Sequence, residues 1–203
     1  MIHKNLSLIT LLTIKKALSS LLLLFTLSAF AETNNVSIVI HGGAGSLEGK
    51  TTEAQKMHDS LCKIWEETFE VLQKGYGEDA VRHAVRMLED DPIYNAGTGS
   101  KLQEDGQIRM SAALMDGTNN RFSGVINVQN IRNPIEAAAL LSGEKHSILS
   151  SAQATEFCRT KGIPEYNPET EFRLHEYKSN CAGFHGTVAV SYTHLTLPTI
   201  PLV

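Results

Sequence analysis

The residues of this chain best placed to do chemistry are few and far apart in the sequence. They are a glycine-rich run, His41-Gly42-Gly43-Ala44-Gly45, an acidic triplet, Glu89-Asp90-Asp91, and a Gly186-Thr187 pair. Two chemistries compete for the first run. Ala44-Gly45-Ser46-Leu47-Glu48-Gly49-Lys50-Thr51 follows a relaxed phosphate-loop pattern, with alanine in place of the first glycine, and an apolar run ending in Asp116 could supply the second nucleotide motif. Against this, Glu48 sets an anionic side chain where backbone N–H groups should cradle phosphate. His41-Gly42-Gly43-Ala44-Gly45 alone would also suit the oxyanion loop of an α/β-hydrolase, but the Gly-x-Ser-x-Gly elbow of that fold occurs nowhere in the sequence.

These residues sit at the boundaries of regular elements. Val36-Ser37-Ile38-Val39-Ile40 is β-branched and apolar, which predicts a buried strand that the glycine run ends. Apolar positions at three- and four-residue steps predict an amphipathic helix over 53–74, capped by Gly75. A second helix over 78–90 is stopped by Pro92. Residues 107–115 and 122–129 read as a β-hairpin around Asp116-Gly117-Thr118-Asn119-Asn120. Asn133-Pro134 opens a helix that Gly143 closes, 147–150 reads as a short strand, and 151–161 as a helix ending at Gly162. Residues 163–186 are polar and aperiodic, with Pro164 and Pro168, and read as an exposed linker. The order of elements suggests a layered α/β or α+β protein.

Three stretches taken together resemble the plant-type L-asparaginase/isoaspartyl peptidase family of N-terminal nucleophile hydrolases. They are His41-Gly42-Gly43-Ala44-Gly45; the run Leu88-Glu89-Asp90-Asp91-Pro92-Ile93-Tyr94-Asn95-Ala96-Gly97-Thr98-Gly99, continuing to Met115-Asp116-Gly117; and His185-Gly186-Thr187-Val188. The resemblance implies an α+β fold, the four-layer αββα sandwich, with only the α-subunit half present. It also implies that the precursor cuts itself between Gly186 and Thr187, making Thr187 the catalytic nucleophile of a β-subunit and residues 32–186 the α-subunit. Residues 163–186 would then be the linker to the cleavage site and 187–190 the start of the β-subunit. An N-terminal threonine has a physical logic, because its α-amino group has a pKa of ~7.7–8.0 against ~10.4 for lysine and serves as the base for its own hydroxyl.

Further implications concern ligands and partners. The 88–98 run resembles a loop that holds a structural sodium ion through main-chain carbonyls, here Leu88, Glu89, Asp91, Tyr94, Ala96 and Thr98; Glu89, Asp90 and Asp91 read equally as a solvated helix end. Catalysis itself needs no cofactor. His41, Gly42, Gly43, Gly45, Asn95 and Gly97 fall into structural roles. The substrates implied are isoaspartyl dipeptides and L-asparagine, and the partners are the chain's own β-subunit and a second αβ unit in a dimer. A non-enzymatic periplasmic binding protein, in which Gly186-Thr187 is incidental, is the reading from a different class.

The composition is that of a globular domain, 42% hydrophobic and 20% charged, with 18 basic residues against 22 acidic ones. The net charge of −4 argues against nucleic acid or an anionic membrane as the main partner. Both ends are poor in charge. Lys4, Lys15 and Lys16 followed by the apolar stretch around Leu21-Leu22-Leu23-Leu24 and by Ala29-Phe30-Ala31 read as a signal peptide over 1–31, which predicts a periplasmic or secreted protein. The uncharged residues 191–203 read as a non-native tail, and such a chain is expected to be inactive and poorly folded for want of half its sheets. The three cysteines, Cys62, Cys158 and Cys181, are an odd number, and their spacing suggests no zinc site; they read as structural thiols. His58, His83, His146 and His175 stand singly and suggest no site.

Overall fold

A computed structural model describes residues 36–43, 49–75 and 77–181. The chain divides at Val36/Ser37, and the described elements all belong to the unit that begins at Ser37. Its elements are α1 (Thr51–Gln73), α2 (Gly77–Asp90), β1 (Met110–Asp116), β2 (Arg121–Val128), α3 (Pro134–Leu141), β3 (Ile148–Ser150), α4 (Ser151–Thr160) and α5 (Glu171–Cys181). This is a mixed α/β arrangement around a small sheet.

The hairpin forms because Asp116 organises its own turn. Its carboxylate accepts N–H bonds from Thr118 and Asn119, and Asn120 takes the left-handed φ of 50° that asparagine tolerates. β1 and β2 then pair antiparallel from Asp116↔Arg121 to Ala112↔Val125. Beyond Ala112 the register slips to Met110↔Val128, with Asn127 in the left-handed region, which is how a bulge takes up an extra residue. From β2 the chain crosses over through α3 and returns as β3, parallel to β2, giving the order β1-β2-β3.

Apolar residues collect in three clusters. Ile108, Met110, Val125, Val128, Ile131, Ala137, Leu141, Ala154 and Cys158 seat α3 and α4 against one face of the sheet. Leu114, Ile135 and Ala138 tie α3 to the sheet, with Val81 and Val85 of α2 packed on them. Ile64, Ala84, Leu88 and Tyr94 hold α1 on α2, with Ile40 and Leu61 alongside. The other face of the sheet carries Met115, Phe122, Ile126 and Ile148, all between 43% and 67% exposed. An apolar sheet face of that extent is unusual on a free surface.

Two expectations are corrected. Residues 36–40 form no strand and join no ladder among the described residues, and Val39 is 68% exposed. β-branched composition favours a strand only where a neighbour offers backbone partners and packing; here only Ile40 is drawn into an apolar cluster. The segment read as an exposed linker from 163 contains α5 as well as a fully buried Pro168 and the buried Arg173. Its hydrophobic pattern is weak because polar contacts, described next, hold it in place.

Candidate functional site

The 88–99 stretch is a closed turn at the C-terminus of α2. Pro92 has no N–H to offer the carbonyl of Leu88, so the helix ends, and the chain curls back until Thr98 N–H reaches the Glu89 carbonyl at 2.7 Å. The return requires glycine. Gly97 has a φ of 49°, and a Cβ there would lie 2.2 Å from the Glu89 carbonyl oxygen; Gly99 has a φ of 90°, and a Cβ there would lie 2.6 Å from the Pro92 carbonyl oxygen. Asn95 closes the outer side by accepting Lys101 N–H at 2.8 Å through its Oδ1.

Acidic side chains at a helix C-terminus oppose its dipole, and each of the three here has its own compensation. Asp90 accepts from Arg132 Nε at 2.8 Å and from Asn133 Nδ2 at 3.0 Å. Asp91 accepts from the Ser60 hydroxyl at 2.6 Å and from Ile93 N–H at 3.1 Å. Glu89 is buried, 4% exposed, and its Oε1 accepts the N–H of Ile135 at 3.0 Å in the first turn of α3. It thereby caps a helix whose own cap residue, Asn133, makes no capping bond. Burial pushes the Glu89 carboxyl up to about 8, against the opposing effects of hydrogen bonds from Ile135 and Asn133.

The first and second motifs touch. Gly42 lies where a Cβ would come within 2.8 Å of the Tyr94 ring and 3.4 Å of Leu61, so only a glycine lets the backbone pass at that distance. His41 is exposed, and its Nδ1 accepts Gly43 N–H at 3.1 Å within the same turn. Gly43 has a φ of 107°. Gly45, with most of the relaxed phosphate-loop pattern, lies outside the described residues, as do Gly186, Thr187, the signal segment 1–31 and the tail 191–203.

The segment leading toward Gly186 is pinned to the loop by groups that sequence reading missed. Arg173 is 8% exposed; its Nε donates to the Gly99 carbonyl at 2.6 Å, its Nη1 to Glu176 at 2.8 Å and its Nη2 to the Tyr94 carbonyl at 3.5 Å. Gly99 N–H donates to the Pro168 carbonyl at 2.9 Å, and the Thr98 and Tyr166 hydroxyls are 3.0 Å apart. A buried arginine is costly unless its donors are used, and its position in a polar stretch carries no periodic signal.

The carbonyls expected to face a cation fit one in type, since a hard monovalent ion takes oxygen donors. Three of the six already accept protein donors: Glu89 from Thr98 N–H, Asp91 from Tyr94 N–H at 3.2 Å, and Tyr94 from the Arg173 guanidinium. Each keeps a second lone pair. Among the described residues, no group of three or more His, Cys, Asp or Glu side chains could hold a metal ion, and no helix is long and apolar enough to cross a membrane.

Comparison with known proteins agrees with the motifs. A family model described as asparaginase matches residues 34–193. The isoaspartyl peptidase/L-asparaginase of Synechocystis sp. is 45% identical over 143 residues, which is 69% of this chain and 43% of that protein. The protein of the same description from Nostoc sp. is 47% identical over 142 residues, 69% of this chain and 44% of its own. The plant-type L-asparaginase of Pyrococcus horikoshii is 38% identical over 144 residues, 70% of this chain and 47% of its own. The chain thus spans less than half the length of these curated relatives. With Gly42 packed on Tyr94 and its 88–99 turn closed as described, the chain belongs to the asparaginase family.

Proposed function

We propose that this chain is the α-subunit portion, with the first residues of the β-subunit, of an exported amide hydrolase that acts on β-aspartyl dipeptides and L-asparagine. The observation that carries the reading is the convergence of its motifs: Gly42 packs on Tyr94, and Arg173 ties the run-up to Gly186-Thr187 onto the same loop. The names of the relatives from Synechocystis sp. and Nostoc sp. supply the two substrate classes.

In this mechanism the precursor first breaks the Gly186-Thr187 bond by an N→O acyl shift. The Thr187 hydroxyl attacks the Gly186 carbonyl, the amide becomes an ester as the C–N bond breaks and frees the Thr187 α-amino group, and water hydrolyses the ester to give the Gly186 carboxylate and the free Thr187 hydroxyl. Gly186 has no Cβ to hinder the attack. Thr187 then attacks the side-chain amide of the substrate, with its own amine taking the hydroxyl proton and passing it to the leaving ammonia or amino acid. A second water hydrolyses the β-aspartyl ester. The 88–98 carbonyls would hold a sodium ion whose contribution is to brace the loop; no chemical step passes through it.

The fold expected of such a protein is a four-layer sandwich, and the exposed apolar face of Met115, Phe122, Ile126 and Ile148 is the surface a second sheet would cover. Two such αβ units would form a dimer. The test is made on a protein that carries both subunits. It should run as two chains on a denaturing gel and release ammonia from asparagine, while Thr187→Ala runs as one chain and releases none. A single uncut, inactive parent chain would instead favour a binding protein.

A further inference from the structure

The proposed turnover of a substrate makes no use of the anchorage of α5. Arg173 is the only buried residue among the described side chains of this helix. A helix of 11 residues with no apolar stripe is marginal on its own, so bonds to its neighbours must hold it. Those bonds reach the 94–104 segment. Arg173 donates to the Gly99 and Tyr94 carbonyls, Glu176 accepts from Lys101 at 3.0 Å, and the Tyr177 hydroxyl donates to the Glu104 carbonyl at 3.0 Å. The chain ahead of the helix is fixed to the same loop as far as Pro168, whose carbonyl accepts Gly99 N–H. A buried guanidinium is costly, and a passive connection would not need one.

We infer that Arg173 is a positioning residue for the self-cleavage step: by pinning α5 it shortens the tether on which the scissile Gly186-Thr187 segment docks for attack. The inference rests on the proposed self-cleavage. Arg173 touches no reacting atom and acts through the length of free chain. With α5 pinned, the upstream anchor is Cys181, five residues before Gly186. Such a tether spans at most about 17 Å, which confines Gly186 to the neighbourhood of the helix end. Glycine samples more backbone conformations than any other residue, so restraint at this bond must come from the chain on either side. With α5 released, the anchor recedes to Pro168, 18 residues before Gly186. The chance of docking falls roughly as the −3/2 power of tether length, which makes the longer tether about sevenfold less effective. Once the bond is cut the tether no longer joins the two subunits, and the effect ends.

The test follows a freshly synthesised precursor carrying both subunits as it becomes two chains on a denaturing gel. Arg173→Met should cleave about sevenfold more slowly than the parent. Inserting about thirteen Gly/Ser residues after Cys181 gives the parent a tether of about eighteen residues and should slow it to the same extent. Adding Arg173→Met to that insertion lengthens the tether only from about eighteen to about thirty-one residues, which predicts roughly a further twofold. A merely structural role would instead make the two losses multiply in full. Leu141→Ala, a truncation in the core under the sheet, should leave the cleavage rate within about twofold of the parent. After cleavage, Arg173→Met should hydrolyse asparagine with the kcat and KM of the parent. A parent that never cleaves overturns the hydrolase reading itself. With a cleaving parent, an equal rate in Arg173→Met, losses that multiply, an equally slow Leu141→Ala or impaired turnover after cleavage would overturn the role of Arg173 alone.

Discussion

Gly97 and Glu89 face one another across the turn that ends α2, and their contact sets the shape of that turn. Gly97→Ala would force a Cβ into the Glu89 backbone at a left-handed φ. The expected cost is about 2–4 kcal/mol, read from denaturant unfolding. Glu89 works through one buried bond to Ile135 N–H. Glu89→Ala should cost about 1–3 kcal/mol by leaving that donor unpaired, whereas Glu89→Gln keeps an acceptor there and should lose much less. Equal losses in the two variants would show that the carboxyl acts by packing instead of capping.

At the scale of elements, α5 is held by polar anchors rather than by an apolar stripe. Arg173 links it to Gly99 and Tyr94, and Glu176 links it back to both Arg173 and Lys101. Arg173→Met should release α5, raise amide exchange across 171–181 and cost about 2–4 kcal/mol, because buried carbonyls lose their donor. Partial burial works against the charge of Glu176, but the Arg173 and Lys101 cations prevail and hold its carboxyl below the ordinary glutamate range. A depressed carboxyl contributes stability that is present above its unfolded pKa, ~4.3, and is lost as pH falls through the lower folded value. Exchange in α5 should therefore rise on acidification below about pH 4, and Glu176→Gln should flatten that rise. A profile unchanged by the substitution would place the acid sensitivity elsewhere.

For the whole molecule, the sheet has one face filled by α3 and α4 and one face open. Met115 and Phe122 are direct cross-strand partners on the open face of β1 and β2; Ile126 continues it along β2 and Ile148 onto β3. Charging this face, with Phe122→Glu and Ile126→Lys, should change the unfolding free energy of this chain by less than about 0.5 kcal/mol, since both positions are exposed. In a protein with both subunits, the same pair should abolish their co-purification. Retained association would place the subunit contact on a different surface.

Local chemistry made much of this protein legible before any folding. Periodicity located α1 and α2, the Asp116 turn announced the hairpin, Asn133-Pro134 marked the start of α3 and Gly162 the end of α4, because these signals depend on neighbours within a few residues. The order of the glycine, acidic and Gly-Thr motifs was enough to reach the family. Tertiary structure decided the rest. It decided that residues 36–40 join no ladder, that a polar stretch forms α5 around a buried arginine, and that Asp90, Asp91 and Glu89 find partners on different elements. Those outcomes rest on contacts between residues remote in sequence, where hydrogen-bond partners and desolvation are set by what packs alongside and leave no periodic trace in the chain.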